Sequence, residues 1–394
     1  MRVTDLVREY LMLGLRFDRL VEGFVDAFTG DPALRAAVAN EPAPLPAELA
    51  KRATELRGEL PSAGLPADRV AWLDGQLAAL AVSGRKLGGE EVGFVDEVES
   101  YFQVRIEPGD TDAYVAAHDA LAALLPGDGP LLDRYVAWRE AEIVPADRLG
   151  EAIDAFSSDL RDRVRAAYPL PEQETVEYEV VTDKPWSGFN YYLGSYRSRV
   201  AVNADLPMRK ADLPKLIAHE SYPGHHTEHC RKERLLVEGG MRDEHRIFLV
   251  NTPECLMAEG LADLGVRVAV GPSWGAWASG IYADLGIAFD GELAEAVGRA
   301  AAPLNNVRQD AAIMLHDRGA SADDAVAHLV RWGLVSEDRA RKSLAFLTDP
   351  LWRAYTSTYV EGYRLLGRWL DAGGEFRRLL DEPLTPAAVV ADLS

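Results

Sequence analysis

The run His219-Glu220-Ser221-Tyr222-Pro223-Gly224-His225-His226 constrains this 394-residue chain more than any other stretch. It places three imidazoles and a carboxylate together, entered through the largely apolar residues Leu213 to Ala218. On an unbroken helix His225 would lie about 120° around the axis from His219, and His226 about 20° around but roughly 10 Å along it. Neither could then share one zinc with His219, because zinc–nitrogen bonds are about 2.1 Å. A single-metal site therefore requires Pro223-Gly224 to deform the backbone: Pro removes a helical hydrogen bond and Gly admits unusual dihedrals. The expected shape is a regular helix ending at His219-Glu220, then a bulge, then a returning imidazole from His225 or His226.

Imidazole is the commonest side-chain ligand of zinc, and a Glu beside a ligating His is how zinc hydrolases place a general base. A third protein ligand is needed, with a fourth position left for water. The candidates lie in Asn251-Thr252-Pro253-Glu254-Cys255-Leu256-Met257-Ala258-Glu259-Gly260-Leu261-Ala262-Asp263. Glu254 sits near a helix start, where a carboxylate complements the dipole. Glu259 and Asp263 share a helix face, and Glu259 inside an apolar run has less structural reason to be there. His229 and His245 stand in charged contexts, EHCRKER and MRDEHR, and read as surface residues.

Apolar periodicity of three and four predicts helices through most of the chain, beginning with one over 3–28. Two alternating segments, 175–182 and 196–203, predict strands, separated by the aromatic and glycine-rich loop 185–194. Beyond the His-rich run, helices are expected over 228–237, 244–269, 275–299, 302–318, 321–332, 336–346 and 350–372. The fold class is mostly α with one small sheet beside the candidate site. The organisation expected is an N-terminal helical region, 1–168, and a metal-site region, 169–394, in one continuous fold. On the last helix Tyr355, Tyr359 and Tyr363 repeat at i,i+4, a spacing that ordinarily marks a core stripe.

A formal net charge of −21, from 63 acidic and 42 basic residues, argues against nucleic acid or anionic membranes as partners. The acidic balance instead suggests neutral or basic substrates. Cys230 and Cys255 alone imply no disulfide framework and a reducing compartment. Asp5, Arg8, Glu9 and Arg16 interrupt the apolar N-terminal residues, which does not suit a signal peptide. A cytoplasmic protein is expected. Composition leaves the oligomeric state open.

His-Glu-x-x-Pro-Gly-His-His, then Glu-Gly-x-Ala, then Tyr-x-x-Gly-x-x-x-Leu resembles the bacterial family catalogued as domain of unknown function 885, over about 170–370. That family is similar to the mostly-α gluzincin peptidases, the oligopeptidases and zinc carboxypeptidases. The resemblance implies a multi-helical zincin-like architecture, Zn2+ held by His219, His225 and Glu259, and Glu220 as base. The two extra residues between Glu220 and Gly224-His225 keep His226 as an alternative ligand to His225, and Leu261 stands where such proteins usually have Trp. The resemblance further implies Tyr359 as an oxyanion donor and a helix carrying Arg308 and His316, with apolar Ala312 where an acid is expected between them. Its edge strand, here 196–203, would pair with an extended substrate, and Asn190, Tyr191 and Tyr192 would line the cleft. The expected function is zinc-dependent hydrolysis of peptide or peptide-like amides. The alternatives are a metal enzyme acting on a non-peptide small molecule, or a helical binding protein with a vestigial site.

Overall fold

The computed structural model describes residues 3–184 and 186–394; Met1, Arg2 and Pro185 lie outside them. The chain is mostly helical, 64% helix, with little strand. Its first helix, Val3–Leu20, buries Leu6, Tyr10, Leu13 and Phe17 at helical spacing. It stops well short of the expected end at 28. Gly23 at φ +85 turns the chain, and Val25–Phe28 forms strand β1 instead. Four more strands follow: β2 (Thr175–Val181), β3 (Gly188–Gly194), β4 (Arg197–Asn203) and β5 (Ile247–Leu249).

Strand β1 pairs antiparallel with β5, Val25 opposite Leu249 and Phe28 opposite Ile247. This tie between distant segments recurs in the cores. One core joins Tyr10, Phe17, Trp72 and Leu77 to Ile247, Leu249 and Leu351; a second joins Val98 and Tyr101 to Leu256, Ile313 and Leu366. The two regions drawn at residue 168 therefore share their interiors, and each fully buried Leu or Phe contributes about 1.5–3 kcal/mol to holding them together.

The second sheet has the order β2-β4-β3, with β4 parallel to β2 and antiparallel to β3. Both expected strands form, and the loop between them supplies the third. Consequently β4 is the central strand, not the edge strand the sequence suggested. Its Val200 and Val202 pack with Ile153 and Phe156 of helix Leu149–Ala167 and with Leu213 and Ile217. The helix Leu213–Glu220 is thereby wedged between sheet and helix.

Several long expected helices are broken. Residues 244–269 become β5, then helices Pro253–Asp263 and Gly265–Ala269; residues 275–299 become Trp274–Asp284 and Gly291–Ala301, with Gly286 at φ +69 between. The segment 228–237 is split between helix His225–Lys232 and a π-helical turn Glu233–Glu238. Helix Tyr363–Asp371 is likewise preceded by a π-helical turn, Thr358–Gly362. Among the described residues, no helix is long and apolar enough to cross a membrane.

Candidate metal centre

Helix Leu213–Glu220 ends as expected, and a new helix, His225–Lys232, begins directly at His225. Between them Ser221 leaves helical dihedrals (φ −128, ψ −77) and the Tyr222–Pro223 peptide is cis. The Gly224 amide reaches back to the Ala218 carbonyl at 2.9 Å, and the Thr227 amide to that of Ser221 at 3.1 Å. These bonds span six residues, so the chain makes a wide loop and folds back. Glycine is required at 224 by this close approach, because a Cβ there would lie 1.9 Å from the His219 carbonyl oxygen.

The loop brings His225 Nε2 to 3.1 Å from His219 Nε2. Helix Pro253–Asp263 delivers Glu259, whose Oε2 is 3.3 Å from His219 Nε2 and whose Oε1 is 3.6 Å from His225 Nε2. A tetrahedral zinc with bonds of about 2.1 Å sets its ligand atoms about 3.4 Å apart. The three separations bracket that value. Glu259 Oε2 is buried and accepts no hydrogen bond, so its lone pairs are left for a cation. This donor set, two imidazoles and a carboxylate, fits zinc.

Neighbours hold the ligands in place. His219 Nδ1 donates to Asp263 Oδ1 at 2.9 Å, which fixes the tautomer that presents Nε2. Tyr355 donates to Glu259 Oε1 at 2.6 Å. Gly260 sits against Gly362: a Cβ on Gly260 would lie 2.5 Å from the Gly362 carbonyl carbon, and one on Gly362 2.6 Å from the Leu256 carbonyl oxygen. The two Glu-Gly pairs, Glu259-Gly260 and Glu361-Gly362, thus mark where the helix bearing Glu259 meets the π-helical turn bearing Tyr359. That turn also breaks the tyrosine stripe: Tyr355 is directed to Glu259, while Tyr359, 43% exposed, faces His219 with ring centroids 6.4 Å apart.

Burial works against charge on both imidazoles, with different outcomes. The hydrogen bond to Asp263 and the adjacent Glu259 carboxylate outweigh it at His219, which is raised well above the usual range. At His225 burial prevails and the pKa falls to about 3. Glu220, buried at the end of its helix, is pushed up to about 7 by burial, with Glu259 and Asp263 adding to the effect and His219 opposing it.

His226, carried as an alternative ligand, points away from this cluster. It is fully buried, with Nδ1 2.8 Å from Ser198 Oγ and Nε2 3.0 Å from Glu174 Oε2. Glu174 also accepts from Arg161 and Arg165 at 2.8 Å and from Tyr222 at 2.7 Å. Burial alone would raise Glu174, but the bonds from His226, Tyr222 and Arg161 hold it at about 2. This network braces the wide loop from behind.

Other expected roles change. His316 contacts the Leu347 carbonyl at 2.7 Å and the Phe94 ring, away from the cluster. Arg308 is exposed and lies within electrostatic reach of Tyr359. Glu254 does more than complement a dipole: it is buried and pairs with Lys232 at 3.2 Å. His245 is not a surface residue, since its side chain is 2% exposed and its ring centroid lies 4.3 Å from that of Trp72. His229 stacks on Tyr192 at 4.6 Å. Tyr192 is buried against Glu233 and Tyr191 lies under Arg199, whereas Asn190 Nδ2 donates to the Glu220 carbonyl at 2.5 Å.

Sequence reasoning missed Asp26. Placed on β1 within reach of Glu259 and Glu220, it is pushed up to about 7 by burial and by those two carboxylates. Gly23 was the available signal that the first helix ends before it. It was overridden by an apolar spacing that happens to continue through Phe28.

No family model matches the chain, and no curated protein matches it. Solved structures do. A candidate lipoprotein of Colwellia psychrerythraea aligns with TM-score 0.55 at 15% identity, over 88% of this chain and 66% of that one. A candidate lipoprotein of unknown function from Shewanella oneidensis aligns with TM-score 0.52 at 13% identity, over 92% of this chain and 76% of that one. The chain thus spans about two thirds of the Colwellia protein, and the likeness shows a shared fold.

Proposed function

We propose that this protein is a zinc-dependent hydrolase of peptide or peptide-like amide bonds with a gluzincin-like architecture. One observation carries the reading: His219 Nε2, His225 Nε2 and the Glu259 carboxylate, whose Oε2 accepts no hydrogen bond, converge at the separations zinc requires, beside Glu220. His219, His225 and Glu259 would hold a zinc ion, which when bound would supply Lewis-acid polarisation of a carbonyl and a lowered pKa for a bound water. Glu220, buried and adjacent in the chain to His219, would take a proton from the attacking water and hand it to the leaving amine. Tyr359, part exposed but desolvated where the protein packs around it and held neutral also by the charges of Glu259 and Asp263, keeps its phenolic proton and would donate to the developing oxyanion. A cytoplasmic location remains part of this reading and rests on cysteine usage; the two solved relatives are candidate lipoproteins.

Zinc-loaded protein incubated with a mixed peptide pool is expected to yield cleavage products by mass spectrometry, with Glu220→Gln lowering kcat by roughly 10²–10⁴-fold while zinc content holds. Stoichiometric zinc without peptide cleavage would turn the reading to a non-peptide substrate. Asp263→Ala is expected to weaken zinc affinity about 10–100-fold in a chelator competition, because His219 loses the group that orients it.

A further inference from the structure

The helix that begins at His225 has little apolar surface to hold it in place. It reads HHTEHCRK, and its one apolar side chain, Cys230, clusters with Tyr192 and Tyr196. The helix that carries Glu259 packs elsewhere: its Cys255, Leu256, Met257 and Leu261 belong to the core of Val98 and Tyr101. No apolar cluster of buried residues thus joins the two ligand-bearing helices, and hydrophobic burial is in any case non-directional. Their mutual placement falls to polar contacts.

Among the described residues, one polar side-chain contact links these helices besides the approach of His225 to Glu259 itself. Lys232 Nζ lies 2.7 Å from Glu228 Oε1 on its own helix and donates at 3.2 Å to Glu254 Oε1, at the start of the Glu259 helix. The three side chains are 11%, 2% and 5% exposed. Burial opposes the ammonium charge, and Glu228 and Glu254 more than offset it, so Lys232 stays cationic between two carboxylates. Without it those carboxylates would be buried like charges on facing helices. On a regular helix Lys232, seven residues after His225, stands about 20° around the axis and about 10 Å along it. One face of the helix therefore meets the Glu259 helix at two points, which fixes rotation as well as separation. His219 is placed differently, by the 2.9 Å bond from its Nδ1 to Asp263 on the Glu259 helix. Among the described residues His225 makes no hydrogen bond to that helix, its nearest approach being the 3.6 Å to Glu259.

We propose that Lys232 is a positioning residue of the candidate centre: by bridging Glu228 and Glu254 it sets how His225 meets Glu259, and through that the affinity for the metal. The proposal rests on the metal-binding half of the reading above and is independent of which bond is cleaved.

The test is chelator competition for zinc on full-length protein, with the visible bands of cobalt-loaded protein reporting ligand geometry and a thermal melt alongside. Lys232→Met is expected to weaken zinc binding about 10–100-fold and to alter the cobalt bands, and Lys232→Arg to recover most of both. Arg231→Met is the matched control. Arg231 is the neighbouring residue and as buried, but its two bonds, 2.7 and 2.6 Å, go to Asp381 on helix Phe376–Asp381, which carries no candidate ligand. That variant is expected to lower the melting temperature while leaving zinc affinity and the cobalt bands nearly unchanged. Equal losses of affinity in the two methionine variants would overturn the proposal, as would unchanged affinity in Lys232→Met. Should Lys232→Met fail to fold, Glu254→Gln decides by the same readings, because Lys232 keeps Glu228 and only the link between the helices is weakened. Unsubstituted protein that takes up no zinc would overturn the centre and the proposal together, whereas zinc uptake indifferent to Lys232→Met would leave the centre standing. Zinc uptake that depends on Lys232 without peptide cleavage would support the proposal and sink only the hydrolase reading.

Discussion

Replacing His225 with alanine is expected to take the zinc content of dialysed protein from about one per chain to about zero, while His226→Ala leaves it near one. Both imidazoles come from the same dipeptide, so composition and local charge are matched between the two variants. What differs is direction. His225 Nε2 meets His219 Nε2, whereas His226 is spent on Ser198 and Glu174. His226→Ala should instead register in stability, at about 2–3 kcal/mol, because it removes two buried hydrogen bonds, one of them to a charged group. Elemental analysis paired with thermal melts reads both quantities. Metal lost with His226 and kept without His225 would refute the assignment.

Gly224→Ala is expected to be among the most damaging glycine-to-alanine changes. The added carbon would sit 1.9 Å from the His219 carbonyl oxygen and 2.6 Å from that of Ala218, and both obstacles are backbone atoms that cannot swing aside. Relief requires the wide loop to open, which moves His225 away from His219. A cost of about 4 kcal/mol is expected, the scale reached when overpacking has no flexible neighbour to yield. For a chain of this length that is a fall of roughly 5 °C in Tm. Zinc affinity should fall with it, since the same backbone sets the 3.1 Å approach of the two imidazoles. Gly64→Ala is the informative control: nothing lies within 4 Å of its Cβ position, so its cost reflects only its φ of +70.

Among the site residues, those in contiguous motifs were the legible ones. The His-rich run and the Glu-Gly pair can be read because a helix and its break are local matters, decided by hydrogen bonds within a few residues. The same locality explains the failures. Glu254 reads as a residue complementing a helix dipole and His245 as a surface residue, and only the packing of distant segments buries them beside Lys232 and Trp72. Asp26 joins the site because β1 pairs with a strand more than two hundred residues away. The π-helical turn at Thr358–Gly362 shifts the tyrosine stripe out of register where its Gly362 packs against Gly260, a residue about a hundred positions earlier in the chain.

By itself, the sequence determined that any metal site here needs a broken helix, that Pro223-Gly224 is the break, and that the chain is mostly helical. Those conclusions follow from bond lengths, helix pitch and side-chain periodicity, which do not depend on the rest of the molecule. Only the tertiary structure decided which imidazole turns inward and which carboxylate meets it. Such choices are made by close contacts between segments far apart in the chain, and a side chain's direction is fixed only once those segments have packed.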